Sequence, residues 1–256
     1  MSTYGSDNVA AVLVNGYDWL SYVQNVRWKK AAVLTDATVL GDPWRKNADS
    51  TVRESELSFE GFYDDAVTSA IDARAIADFG VANVVTLMAD GNTLGLYFEG
   101  FRGPLEESYE RMIDLGDLHK VGVQYSGSQE VESGRIVKAL AAVTADGNSD
   151  ASDIDGLAAS ADGCTGYLQL TAITLDTATN LIVTLRDSSD AASWAAITGG
   201  AFTARTAIGA QRIAVAAAAD TPKQYISCGW TWTGGAGAGS TATFMAGLHR
   251  IGTAQQ

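Results

Sequence analysis

Two histidines (His119 and His249), two cysteines (Cys164 and Cys228) and a few adjacent carboxylates are where catalysis or metal binding would have to begin in this chain. A hydrolytic triad needs a nucleophile beside a histidine base, and no G-x-S-x-G turn is present to offer one. A zinc site needs four closely grouped ligands, which neither the cysteine nor the histidine spacing supplies. Asp146-Gly147-Asn148-Ser149-Asp150 opens like a calcium loop, but the later glycine and glutamate positions hold Ala151 and Leu157. That leaves at most weak Ca²⁺ binding. The glycine run Gly234–Ser240 lacks the lysine of a phosphate loop and reads as a hairpin tip. Glu106-Glu107 and Asp64-Asp65 could be a glycosidase pair, or acids on a solvated surface and at a helix start. Trp230 and Trp232 could stack on a sugar, yet their alternation with Ile226 and Cys228 suits a strand facing a core. The expectation is a protein that is not an enzyme and takes no cofactor and no metal.

The elements that would position these residues are mostly strands. Val9–Val14 leads into Asn15-Gly16, a strong hairpin signal, and Tyr17–Trp28 reads as an irregular return strand. Ala37–Val52 breaks the pattern with Leu40-Gly41-Asp42-Pro43-Trp44 and a polar stretch, so a long loop is expected there. On Arg53–Phe62 the alternation is clean. Ser55, Leu57 and Phe59 face one way, and Glu54, Glu56, Ser58 and Glu60 the other. One helix is predicted over Asp65–Phe79. Val81–Met88 and Leu94–Phe101 should pair around Asp90-Gly91, and strands His119–Ser126 and Gln129–Val143 follow a charged segment, Glu106–Asp117.

Ala145–Ala161, rich in Asp, Gly, Ser and Ala, reads as a linker. The division is therefore 1–145, a linker 146–161, and 162–256, where short strands without a helix signal suggest a small β-sandwich. The fold class is mainly β, with one short helix.

The composition agrees. Hydrophobic residues make up 46% and charged residues 18%, enough for a real core, and Gly is plentiful (27) while Pro is scarce (3). The net charge is −13, nearly all of it in the first 150 residues, which disfavours tight nucleic-acid binding through a basic patch. No stretch is long and apolar enough for a membrane span, and the chain's start does not read as a signal peptide. Both cysteines are read as reduced core residues, with a bridge between two strands as the other reading.

Several segments carry a resemblance: Val14-Asn15-Gly16-Tyr17-Asp18-Trp19-Leu20-Ser21-Tyr22-Val23, Asp36–Asp42, Leu57–Asp64 and Gly134–Ala139. They resemble the tail-tube proteins of long-tailed phages. Trp194, Gly209–Arg212 and Gly239–Phe244 are similar to the small sandwich appended to several of them. Trp19 departs from the family pattern, where a small or polar residue is expected.

The resemblance implies a β-sandwich or barrel subunit that closes into hexameric rings. The rings stack into a tube through which DNA passes without specific binding. It further implies partners (tape-measure protein, tail terminator and distal tail proteins), assembly in the host cytoplasm and a final place in the virion tail. On that frame Leu40, Asp42, Trp44, Arg45 and Lys46 are expected at inter-ring contacts, and Glu54, Glu56 and Glu60 are expected to face the lumen. The second half would be an outer appendage. A capsid decoration or head-stabilising protein and a carbohydrate-binding module of an adhesion protein are the rival readings.

Overall fold

Alternation of apolar and polar residues governs most of the chain, and in the computed structural model it yields sixteen strands and one helix among the described residues. Those residues are 9–36, 47–64, 71–113, 118–127, 131–150, 154–155, 159–160, 162–234 and 239–252, with strand backbone alone at 30, 32–36, 47–54, 127 and 155. In chain order the elements begin β1 (Ala11–Val14), β2 (Tyr17–Asp18), β3 (Val23–Asp36), β4 (Asn47–Phe62), α1 (Ile71–Asp78), β5 (Ala82–Met88), β6 (Tyr97–Met112), β7 (Lys120–Gly127) and β8 (Val131–Val143). They continue β9 (Gly147–Asn148), β10 (Ile154–Asp155), β11 (Cys164–Thr174), β12 (Asn180–Ser188), β13 (Ala195–Ala201), β14 (Gly209–Val215), β15 (Tyr225–Thr233) and β16 (Thr241–Arg250).

The chain forms two compact units, each gathered from separated stretches. Unit 1 holds Met1–Leu20, Val84–Gly100 and Glu132–Gln256, and unit 2 holds Ser21–Asn83 and Phe101–Val131. The sequence reading divided the chain instead at 146–161. The described start of that stretch, 147–149, is not a free tether. Gly147 and Asn148 pair with Trp230 and Gly229 of β15, and the Ser149 N–H donates to the Cys228 carbonyl at 2.8 Å. An Asp/Ser/Gly composition that reads as a linker here supplies side-chain caps to a neighbouring strand.

In unit 1, strands follow the order β14-β11-β16-β8-β6-β5-β1-β2, and a second sheet runs β10-β15-β12-β13 with β9 beside β15. One core lies between the two sheets. Leu168, Leu170 and Phe244 meet Leu181, Val183, Leu185 and Trp232 there, all buried. Strand parity sends the alternate residues to the other face, where Tyr167 and Met245 join Ala11, Leu13, Met88, Phe98 and Ile136. β8, in the predicted first domain, pairs with β16 from Val143↔Ala242 to Arg135↔Leu248. The second-half sandwich therefore includes a strand of the first half.

The Asn15-Gly16 turn has φ of 50° and 87°, the left-handed pair that a tight two-residue hairpin requires. A Cβ on Gly16 would also meet backbone atoms of Gly209 and Leu170 at 2.6 Å, so glycine is needed for space as well. Buried Gln169 ties this turn to β11 and β5: its Oε1 accepts the Gly16 N–H at 2.8 Å and its Nε2 donates to the Val84 carbonyl at 3.0 Å. Trp19 is fully buried, its N–H on the Val12 carbonyl at 2.8 Å.

Unit 2 is a sheet ordered β3-β4-β7-β6 with α1 against its apolar face. Leu57, Phe59, Val121, Val123 and Tyr125 are buried there, together with Ile71 and Ala75 of the helix. The predicted helix over 65–79 is found as Ile71–Asp78; residues 65–70 lie outside the described ones. Part of the expected loop is strand: residues 47–52 belong to β4. The charged segment from Glu106 to Met112 continues β6.

Candidate functional site

The face of the unit 2 sheet opposite α1 is wet, and its composition follows from register. Lys29, Glu56 and Ser126 form one cross-strand row; Arg27, Ser58, Gln124 and Ser108 form the next; Asn25, Glu60, Gly122 and Glu110 form the third. Arg27, Lys29, Glu56, Ser108, Glu110 and Ser126 are exposed, and Glu60 is half-buried. The Gln124 amide donates to Glu56 Oε1 at 3.0 Å. Gly122, lacking a side chain, leaves a recess of about 150 Å³ between Arg27, Glu60 and Met112.

Of the three glutamates expected to share a wet face, Glu56 and Glu60 are on it, and the Glu54 side chain lies outside the described residues. The face is not uniformly acidic, because Arg27 and Lys29 on β3 stand among the carboxylates. The β3–β4 register brings those cations beside the glutamates. Leu40, Asp42, Trp44, Arg45 and Lys46, the expected inter-ring set, all lie outside the described residues.

The β3–β4 hairpin outgrows the sheet. β4 pairs with β7 only over residues 55–62, whereas its pairing with β3 continues to Asp36↔Asn47. Among the described residues, β3 31–36 and β4 47–54 thus form a two-stranded ribbon with no third strand. Among the described residues β3 also has no second neighbour, and Trp28 on it remains 45% exposed, opposite buried Leu57. Sequence reading placed Trp28 in a strand without noting that the strand is an edge.

The residues that could do chemistry are dispersed. His119 is exposed, 6.2 Å from the Tyr63 ring in unit 2, while His249 Nδ1 is 2.6 Å from the Ser133 carbonyl in unit 1. Cys164 and Cys228 are free and buried, and burial raises both thiols to about 12. Glu106 and Glu107 split, one buried and one exposed. Asp146 accepts the Trp232 N–H at 2.7 Å, and Asp150 is taken up by Arg186 and Ser227. Trp232 is buried; half-buried Trp230 packs edge-on against Phe244 at 5.8 Å and donates to the Ala145 carbonyl at 2.9 Å, so neither offers a free stacking platform.

Among solved structures, the chain is similar to a chain in the virion of the native gene transfer agent (GTA) particle, at 16% identity and a TM-score of 0.38, covering 51% of this chain and 98% of the other. It is also similar to a chain in the tail of an empty GTA particle refined with C6 helical symmetry, at 15% identity and a TM-score of 0.36, covering 50% and 97%. A third likeness is to the SPP1 Dit (gp 19.1) protein, of the hub adsorption apparatus in phages infecting Gram-positive hosts, at 15% identity and a TM-score of 0.33, covering 93% and 98%. No family model and no curated protein matches the chain.

Proposed function

We propose that this protein is a structural subunit of a phage-type tail, acting by assembly and not by catalysis, whose copies close into hexameric rings that stack into a conduit for DNA. The β3–β4 ribbon is the observation that carries the reading. An isolated two-stranded ribbon is marginal in water, and an edge strand of this length invites pairing with another chain. A neighbouring copy would satisfy both needs, completing the β3 edge and covering Trp28, while the far end of the ribbon reaches a copy in the next ring. The wet face, with Glu56, Glu60 and Glu110 beside Arg27 and Lys29, would then line the lumen. A lining of mixed sign holds phosphate nowhere tightly and lets DNA slide. The tape-measure protein, terminator and distal tail proteins remain the expected partners of the tube, and the virion tail its location.

Sedimentation velocity at rising concentration tests the reading. Large assemblies should appear with the native chain and be lost with Trp28→Ala, the monomer keeping its fold. Assemblies unaffected by Trp28→Ala would remove β3 from the contact.

A further inference from the structure

Glu106 is the one acidic residue of unit 2 whose carboxyl oxygens are both buried without a hydrogen-bond partner among the described residues. Its residue is 2% exposed, on the sheet face covered by α1. The groups around it come from three places. β7 brings Tyr125, whose hydroxyl eases the charge slightly but does not reach hydrogen-bond geometry. The last turns of α1 bring buried Asp78 and, through the Arg74–Asp78 ion pair at 3.1 Å, a guanidinium. The chain leaving α1 runs along β6, with Phe79 bridged to Glu106 and the Gly80 N–H facing the Glu106 carbonyl at 3.4 Å. The other end of the helix is held separately, by Arg111 Nε donating to Asp72 at 2.8 Å.

An ionised carboxylate here would be dry, without donors, and beside a second carboxylate. A neutral carboxyl avoids all three penalties. Burial, then the Asp78 charge, raises the Glu106 carboxyl from its ordinary 4.5 to about 8.

We propose that a proton on Glu106 latches the C-terminal end of α1 to the unit 2 sheet, and that losing it frees the helix while the rest of the fold stays closed. Opened, Glu106 meets water and sheds its proton readily; closed, it keeps it. The open fraction of α1 therefore rises about tenfold per pH unit between roughly pH 5 and 8 and levels off above. Release uncovers Ile71 and Ala75 next to the already exposed Ile76 and Phe79, creating an apolar surface that is hidden at lower pH. This inference is independent of the tail reading.

The test is amide hydrogen exchange of the full chain from pH 5.5 to 9, with each rate divided by the intrinsic rate at that pH. Protection of α1 should fall about tenfold per unit up to pH 8 and then level, while β11 and β15 hold steady. In Glu106→Gln, which keeps the shape and stays neutral, α1 protection should not change with pH. Should that variant fail to fold, Asp78→Asn serves instead. Removing the neighbouring charge should move the levelling point to lower pH. Protection independent of pH in the native chain, an equal slope in Glu106→Gln, an unmoved levelling point in Asp78→Asn, or β11 loosening in step with α1 would each overturn the proposal.

Discussion

Glu56 on β4 stands directly across from Lys29 on β3, on the exposed face of the unit 2 sheet. The pair changes what that face can be. A row of carboxylates on one strand suggests a uniformly negative surface, but the neighbouring strand answers it with Lys29 and Arg27 one row apart. Reversing the charge of Glu56 would set like charges opposite each other, at a cost of roughly 0.2–1 kcal/mol. Glu54, Glu56 and Glu60 all replaced by lysine should therefore fold, and in reconstituted particles should slow DNA ejection, most at low salt where screening is weakest. Ejection timed by dye uptake at two salt concentrations would check this, and an unaltered low-salt rate would place the face outside the lumen.

Trp44, outside the described residues, is the residue that the sequence reading assigns to the contact between rings. Trp44→Ala should leave a soluble, folded subunit with a native circular-dichroism spectrum and remove a contact of about 2 kcal/mol or more. Electron micrographs should then show few or no tubes. Normal polymerisation would move the inter-ring contact elsewhere.

Unit 1 has a charge lock suited to an acid test. Glu132, 7% exposed, accepts from the Arg212 guanidinium (Nε at 2.9 Å) and from the Tyr167 hydroxyl. Burial, the largest influence on Glu132, works to raise its carboxyl, but Arg212 and Tyr167 together outweigh it and hold the group below the ordinary 4.5. A lowered carboxyl contributes stability above the ordinary value and loses it as pH falls through the folded one. Thermal melts should show Glu132 stabilising unit 1 at pH 7 and progressively less below about 4.5. Glu132→Ala, leaving Arg212 buried and unpaired, should cost roughly 3–5 kcal/mol at pH 7, with a smaller difference in acid.

A chain ending at Ala145 is the next case. The appendage reading expects it to make thinner tubes. The β8–β16 pairing predicts failure instead, because the cut strips β8 of its neighbour and bares Val137 and Val143. Such a chain should be recovered as aggregate in a solubility assay; a soluble monomer would mean that β8 tolerates an open edge.

Local signals were legible where one residue type decides the backbone. Asn15-Gly16, the alternation on β4 and the faces of β12, β15 and β16 follow from parity and turn chemistry alone. What escaped depends on pairing partners distant in sequence. Glu106–Met112 reads only as a charged segment because acids dominate it, yet β7 on one side makes it a strand and buries Glu106. Ala195–Ala201 carries no readable strand signal because small residues and Gly199-Gly200 blur any period. Likewise Asp146–Asp150 reads as solvent-loving linker until β15 is beside it, and nothing in β3 itself reveals that its outer edge has no neighbour among the described residues.

Cryo-electron microscopy of the concentrated full-length chain tests the central claim most directly. The account predicts six-fold rings stacked into an open tube, with β3 of each copy completed by a strand of the next and Glu56 and Glu60 facing the channel. A chain that stays monomeric at high concentration, or closes into trimers that do not stack, would contradict it.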